Sequence, residues 1–335
     1  MTINDDGTIL GILLLINNIL PFILFMIGCS FLYFSSESFI DSSIIISQKL
    51  NISPIIIGAS VIALGTSLPE LLVSLYSIFT YDNPNDIENF VSSSIVIGNI
   101  LGSNIANIAL VMGFCAFIYK ISFQINVLKD LLFITILGFY VLLCVYFEFT
   151  INYFHGIILL SSFALYFYYL INYHSNVDNK IDANSNSLIY SFVIILLSML
   201  GLSIGTNLIV DNALNISKIM GVSELNIGFS IVALGTSLPE LFTSLASIKR
   251  GKYDLLIGNV IGSNILNIIF VLGVSSLITN ISIKSDMLED GLFIGLIFIA
   301  SHLILLLNYI FYKSLSKFSG LILLVIYIFF IYKLF

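Results

Sequence analysis

The sequence predicts an all-α integral membrane protein of ten transmembrane helices, arranged as two five-helix repeats of opposite orientation. Three observations lead there. The first is composition: of 335 residues, 59% are hydrophobic and 9% charged, an apolar surplus that only lipid can solvate. The second is a series of ten apolar runs, at roughly 9–34, 53–80, 92–118, 126–147, 152–172, 188–213, 224–248, 255–279, 287–309 and 316–334, each near the ~20 residues that a bilayer crossing needs. The third is an internal duplication. Residues 58–78 (GASVIALGTSLPELLVSLYSI) match 228–248 (GFSIVALGTSLPELFTSLASI) at 15 of 21 positions, and 95–113 match 255–273 at 11 of 19.

Taken in order, the first run is too long for a signal-peptide core and lacks a basic leader, so it is expected to stay as a span. The run 53–80 holds the first GTSLPE, and the loop after it, 81–90, carries Asp82, Asp86 and Glu88 and no base, a weak lure for cations at an entrance. The longest polar stretch, 172–187, is rich in Asn and Ser and separates the halves. The expected organisation is a first repeat over 1–173, a cytoplasmic linker over 174–187 and a second repeat over 188–335. Five spans per half is an odd number, so equivalent spans cross in opposite directions. Transporters with such inverted repeats hold their substrate near mid-membrane, where the halves meet.

With the N-terminus outside, the inner loops hold nine Lys and Arg residues and the outer segments three, which predicts both termini outside a plasma (inner) membrane. A net charge of −7 argues against nucleic acid. Cys29, Cys115 and Cys144 lie inside spans with no metal or disulfide spacing, and are read as packing residues. His155, His174 and His302 have no counterparts in the other half, and are read as surface or packing residues.

The chemistry concentrates in the duplicated motif. Pro69 cannot donate to the carbonyl of Gly65 and crowds it, so backbone oxygens around Ala63 to Thr66 are expected to lose partners; Pro239 does the same around Ala233 to Thr236. Freed carbonyls at membrane depth survive only in protein or along a cavity. Glu70 and Glu240, mid-span, are costly unless they face the bundle interior. Thr66, Ser67 and Ser74 share a helical stripe with Glu70, and Thr236, Ser237 and Ser244 one with Glu240. In the partner spans, Asn99, Ser103 and Asn107 are spaced by four, as are Asn259, Ser263 and Asn267. Gly98, Gly102, Gly258 and Gly262 beside them suit close helix packing. Two opposed carboxylates repel unless a cation or proton sits between them. Carboxylate, hydroxyl, amide and carbonyl oxygens without His or Cys point to Ca²⁺, Na⁺, Mg²⁺ or K⁺.

The paired GTSLPE motifs, each followed by GNxxGSNIxN, resemble the two alpha repeats of the sodium/calcium exchanger family of cation/Ca²⁺ antiporters, over about 40 positions in each repeat. In size the chain is similar to the short prokaryotic members. The resemblance implies a ten-helix fold around a central diamond of ion sites. It implies that Glu70 and Glu240 bind Ca²⁺ together with backbone oxygens of Thr66 and Thr236. It implies flanking Na⁺ sites from Ala63, Ser67 and Ser103 in one half and Ala233, Ser237 and Ser263 in the other, with Asn107 and Asn267 toward the middle. Many members have Asp at one of these last two positions; both are Asn here, so two intramembrane carboxylates remain and balance one Ca²⁺. The expectation is an antiporter rather than an enzyme, without cofactors, working on Ca²⁺ and Na⁺ in a lipid bilayer and functional as a monomer. A H⁺/Ca²⁺ exchanger of the same superfamily stays open, as does a cation channel. A serine hydrolase built on Ser67 or Ser237 lacks an activating base.

Overall fold

The computed structural model describes residues 5–81, 88–123, 126–174, 187–219, 235–281 and 288–334. The acidic loop and most of the linker predicted above lie outside these residues, as does Ala233. Almost everything described is helix. The first half comprises α1 (Asp5–Leu50), α2 (Pro54–Ile57), α3 (Ala63–Thr66), α4 (Leu68–Tyr81), α5 (Glu88–Ile105), α6 (Gly113–Ile118), α7 (Leu128–Tyr146) and α8 (Tyr153–His174). The second comprises α9 (Leu188–Ile219), α10 (Leu238–Lys249), α11 (Tyr253–Leu266), α12 (Gly273–Ile278), α13 (Leu288–Tyr312) and α14 (Lys317–Leu334). Wider π turns join three of these in line: Gly58–Ile62 between α2 and α3, Ala106–Met112 between α5 and α6, and Asn267–Leu272 between α11 and α12. A two-residue antiparallel pair, β1 (Ile121–Ser122) with β2 (Ser314–Leu315), and a bridge between Ile151 and Ile281 tie loops of the two halves together.

Among the described residues, eight helical stretches are long and apolar enough to cross a membrane. Their share of buried positions separates two classes. Within an apolar 18-residue window of each, Tyr253–Ile278 has 94% of its positions buried and Ser92–Ile118 83%, whereas Ile19–Leu50 and Tyr153–Asn172 have 22%. The former are wrapped by protein; the latter show Met26, Phe34, Phe154 and Tyr168 to their surroundings. The inner set is α4, α5, α10 and α11 with their in-line extensions; α7 packs on α13, α8 on α12 and α14 on α6 around it.

The first helix departs from the expected edge at 34 and runs on to Leu50. Its polar letters there are not a loop. Ser36, Ser43 and Ser47 are buried, as are Ile40 and Ile46, while Glu37 and Asp41 meet Lys249 and Arg250 at the end of α10. A charged turn that finds opposite charges stays helical. α9 likewise continues past the expected 213, to Ile219. The two long helices cross at glycines: a Cβ on Gly28 would sit 2.9 Å from the Gly205 carbonyl oxygen, and one on Gly205 3.0 Å from that of Gly28. This pair lies over both motifs, with Phe39 and Met199 against Gly65 and Val210 against Gly235.

The expected small-residue contact is present at Gly258 and Gly262. A Cβ on Gly258 would lie 2.6 Å from the Ile55 carbonyl oxygen, and one on Gly262 2.5 Å from the Ala59 Cα. Gly98 and Gly102 have no such neighbour among the described residues. Cys115 and Cys144 are buried and Cys29 partly so; all three are free thiols.

Candidate ion-binding centre

Both GTSLPE motifs break their helix at the same place. α3 ends at Thr66, Ser67 sits outside helical geometry at φ −85°, ψ 5°, and α4 restarts at Leu68. In the second motif Ser237 takes φ −90°, ψ 1°, and α10 starts at Leu238. Proline is tolerated in a first helical turn, where its missing N–H has no partner to lose. Each glutamate therefore falls in the first turn of a new helix, where backbone N–H dipoles favour negative charge. One expectation needs correcting. The Ala63 carbonyl is not stripped of its partner, since it accepts the Ser67 N–H at 3.0 Å, with the Thr66 hydroxyl oxygen 3.4 Å away. The break leaves room for that bond because Ser67, not Pro69, stands four residues on. A second lone pair remains.

Hydroxyls of each motif reach into the opposite half. The Thr66 hydroxyl donates to Asn259 Oδ1 at 3.2 Å and lies 3.3 Å from Ser263 Oγ on α11. The Ser103 hydroxyl on α5 lies 3.2 Å from that of Thr236. Ser67 Oγ donates to Glu240 Oε1 at 3.5 Å. Asn99 Nδ2 donates to the Glu70 carbonyl at 2.9 Å and to Ser74 Oγ at 3.1 Å; Asn259 Nδ2 donates to Ser244 Oγ at 3.4 Å, the counterpart of the latter, and to Thr243 Oγ1 at 3.1 Å. The structure thus brings Ala63, Thr66, Ser67, Glu70, Ser103, Asn107, Thr236, Ser237, Glu240, Ser263 and Asn267 into one buried region, each no more than 5% exposed.

Its electrostatics are unusual for a protein interior. Among the described residues, neither oxygen of the Glu70 carboxyl has a hydrogen-bond partner, nor does Glu240 Oε2. Beside Glu70 stand the Ser103 and Thr236 hydroxyls, and the charge of Glu240 is close enough to repel it. The Ser237 hydroxyl, both amide atoms of Asn107 and the Asn267 oxygen are also buried without partners among the described residues. Buried polar atoms are nearly always satisfied, and a lone buried carboxylate costs several kcal/mol. Orphaned oxygens converging around two acids suit hard cations, which bind oxygen and take the place of water. Among the described residues no cluster of three His, Cys, Asp or Glu side chains offers a softer metal site.

Three participants were not expected. Asn104 and Asn264 hold the centre of the crossing: Asn104 Nδ2 donates to the Asn264 carbonyl and Asn264 Nδ2 to the Asn104 carbonyl, each at 3.0 Å. They were readable, because GSN recurs in both repeats; the every-fourth spacing of 99, 103 and 107 drew attention past them. His302 contacts Asn264 at 3.0 Å, and, lacking a counterpart, carried no sequence signal.

The family model described as "Sodium/calcium exchanger protein" matches residues 20–172 and 190–335. An uncharacterized membrane protein of Methanocaldococcus jannaschii is 34% identical over 307 residues, covering 91% of this chain and 94% of its own length. The sodium/calcium exchanger MaX1 of Methanosarcina acetivorans is 30% identical over 359 residues, covering 94% of this chain and 98% of its own. Among solved structures, the sodium-calcium exchanger NCX_Mj soaked with zero Na⁺ and Ca²⁺ superposes with a TM-score of 0.79 at 33% identity, over 95% of this chain and 100% of that one. Family model, relatives matched over most of their length and solved structure agree with one another, and the chain belongs to the sodium/calcium exchanger family.

Proposed function

We propose that this protein exchanges Na⁺ for Ca²⁺ across the plasma (inner) membrane by alternating access, with Na⁺ entry driving Ca²⁺ out. The observation that carries the reading is the pair of buried carboxylates, Glu70 and Glu240, with three of their four oxygens unpartnered. Glu70 and Glu240 ligate Ca²⁺ directly, with backbone oxygens of Thr66 and Thr236. Ala63, Ser67 and Ser103 serve a Na⁺ on one side, and Ala233, Ser237 and Ser263 a Na⁺ on the other. Asn107 and Asn267 contribute amide oxygens to the middle. The ten spans form two inverted repeats, 1–173 and 188–335, joined by a cytoplasmic linker at 174–187, with both termini outside and the monomer as the working unit.

Exchange without leak follows from charge. Ca²⁺ and Na⁺ draw on overlapping oxygens and exclude one another. Either set neutralises the acids, and a neutral centre can pass through an occluded state. Two bare carboxylates cannot, because their desolvation is too costly. The likeness to MaX1 and to NCX_Mj, both named sodium/calcium exchangers, supports Na⁺ as the counter-ion. The test is ⁴⁵Ca²⁺ uptake into Na⁺-loaded proteoliposomes at clamped pH. Uptake should follow the Na⁺ gradient and vanish in Glu70→Gln and Glu240→Gln. Uptake that follows a pH gradient instead would make H⁺ the counter-ion, and uptake surviving both substitutions would sink the site.

A further inference from the structure

His302 lies on α13, outside the four helices that carry the ion-binding oxygens, yet it is 1% exposed and reaches them. Its ring stacks on Phe298, centroids 4.1 Å apart, and Phe298 in turn rests on Gly138 of α7, where a side chain would collide with it. His302 Nδ1 is 2.8 Å from the Phe298 carbonyl oxygen, which can only accept, so Nδ1 carries the ring proton. The other nitrogen, Nε2, is 3.0 Å from Asn264 Nδ2. That amide nitrogen also donates to the Asn104 carbonyl, which fixes the amide's orientation: a flip would set oxygen against oxygen. Both amide hydrogens of Asn264 are thereby used, and Nε2 is an acceptor.

The consequence passes along a chain of amides. Asn104, held by the Asn264 carbonyl, offers its Oδ1 to Asn267 Nδ2 at 2.9 Å. With its nitrogen engaged, Asn267 is left presenting its oxygen, buried and without a partner. Asn and Asp differ at this position in which end can face a cation; an amide serves only if its nitrogen is turned away. Asn107, in the other repeat, has no such anchor on either amide atom.

We propose that His302 is a positioning residue of the exchange centre: by accepting a hydrogen bond from Asn264 it locks the Asn264–Asn104 brace, and the brace holds Asn267 oxygen-first. This rests on the exchange reading above, and on Asn267 contributing its amide oxygen to an ion.

The test uses the full-length protein in Na⁺-loaded proteoliposomes, reading KM and kcat for ⁴⁵Ca²⁺ uptake. His302→Phe keeps an aromatic ring and removes the acceptor. Its KM should rise about tenfold with kcat changed far less, in line with the cost of losing a support behind a metal ligand. His302→Gln, whose side-chain oxygen reaches the place of Nε2, should restore KM; His302→Asn, which reaches only the place of Nδ1, should not. ¹⁵N-histidine NMR of the wild-type protein, with the His302 signal identified as the one that remains when His155 and His174, which lie outside the ion centre, are replaced by Gln, should show an unprotonated Nε2. A KM for His302→Phe within about twofold of wild type, equal defects in the Gln and Asn variants, or a protonated Nε2 would overturn the proposal. A wild-type protein without Na⁺-driven uptake overturns the exchange reading and this inference with it. A wild-type exchanger indifferent to His302→Phe overturns this inference alone.

Discussion

Thr66 shows how a single hydroxyl joins the two repeats. It spans Asn259 and Ser263, both on α11, while its mirror partner Thr236 meets Ser103 on α5. Removing one member of a buried hydrogen-bonded pair leaves the other unsatisfied, typically at ~1–3 kcal/mol. Thr66→Val should therefore raise the KM for Ca²⁺ several-fold, and Ser263→Ala should do the same. If the 3.3 Å contact is energetically real, the double variant falls short of the product of the two effects, which parallel uptake assays on the three proteins would detect. Additive effects would mean that the two hydroxyls act separately. The glutamates are more severe: Glu70→Gln keeps the size and shape of the side chain and removes half the charge that makes Ca²⁺ tolerable there.

At the scale of elements, much was legible and the gaps have physical causes. Eight of the ten apolar runs coincide with described helices long and apolar enough to cross, because lipid demands about 20 apolar residues wherever a helix crosses. The doubled GTSLPE placed Glu70, Glu240, Thr66 and Thr236 together. Edges were harder. α1 extends to Leu50 because Glu37 and Asp41 meet bases 200 residues away, a contact no local pattern announces. The broken geometry at Ser67 and Ser237 follows from the proline two residues on, but the rescue of the Ala63 carbonyl depends on which residue ends up four positions later in space as well as in sequence. His302 was invisible, since a lone histidine on an apolar helix has no signature until its partner is known. The packing of α11 against the Gly58–Ile62 turn makes a further prediction. A Cβ on Gly258 would meet backbone, 2.6 Å from the Ile55 oxygen and 2.9 Å from the Ala59 nitrogen, and backbone cannot move aside cheaply. Gly258→Ala should cost about 1–3 kcal/mol, seen as a lower Tm in detergent by intrinsic fluorescence. An unchanged Tm would show that the helices can part freely.

For the whole molecule, the long pair α1 and α9 is joined to the inner helices partly by charge. Arg250 holds Asp41 through Nη2 at 2.8 Å and Glu37 at 2.7 Å, and Lys249 adds Glu37 at 3.3 Å. These carboxylates push the Arg250 guanidinium above its already high ordinary value. A raised cation loses its contribution only as pH climbs through the raised value, so on the alkaline side this link persists as long as the guanidinium keeps its charge. Salt is the variable that weakens it, since Asp41 is more than half exposed. Arg250→Met should lower Tm at low ionic strength by the equivalent of ~1 kcal/mol or less. The difference should shrink toward zero in concentrated choline chloride, and a difference indifferent to salt would assign the role of Arg250 to its aliphatic stem.

The unequal treatment of the two central amides reaches further than one ligand. Exchange the roles of the two repeats and Thr66–Ser263 becomes Thr236–Ser103, while the Asn104–Asn264 brace maps onto itself. Asn267, gripped through its nitrogen, maps onto an ungripped Asn107, and His302 onto nothing. In an inverted pair of repeats that same exchange swaps the side facing the cytoplasm with the side facing out. On the proposed alternating-access reading the molecule is a balance with one weighted pan: its two open forms should differ in free energy, and ions arriving from opposite solutions should meet different half-saturation concentrations.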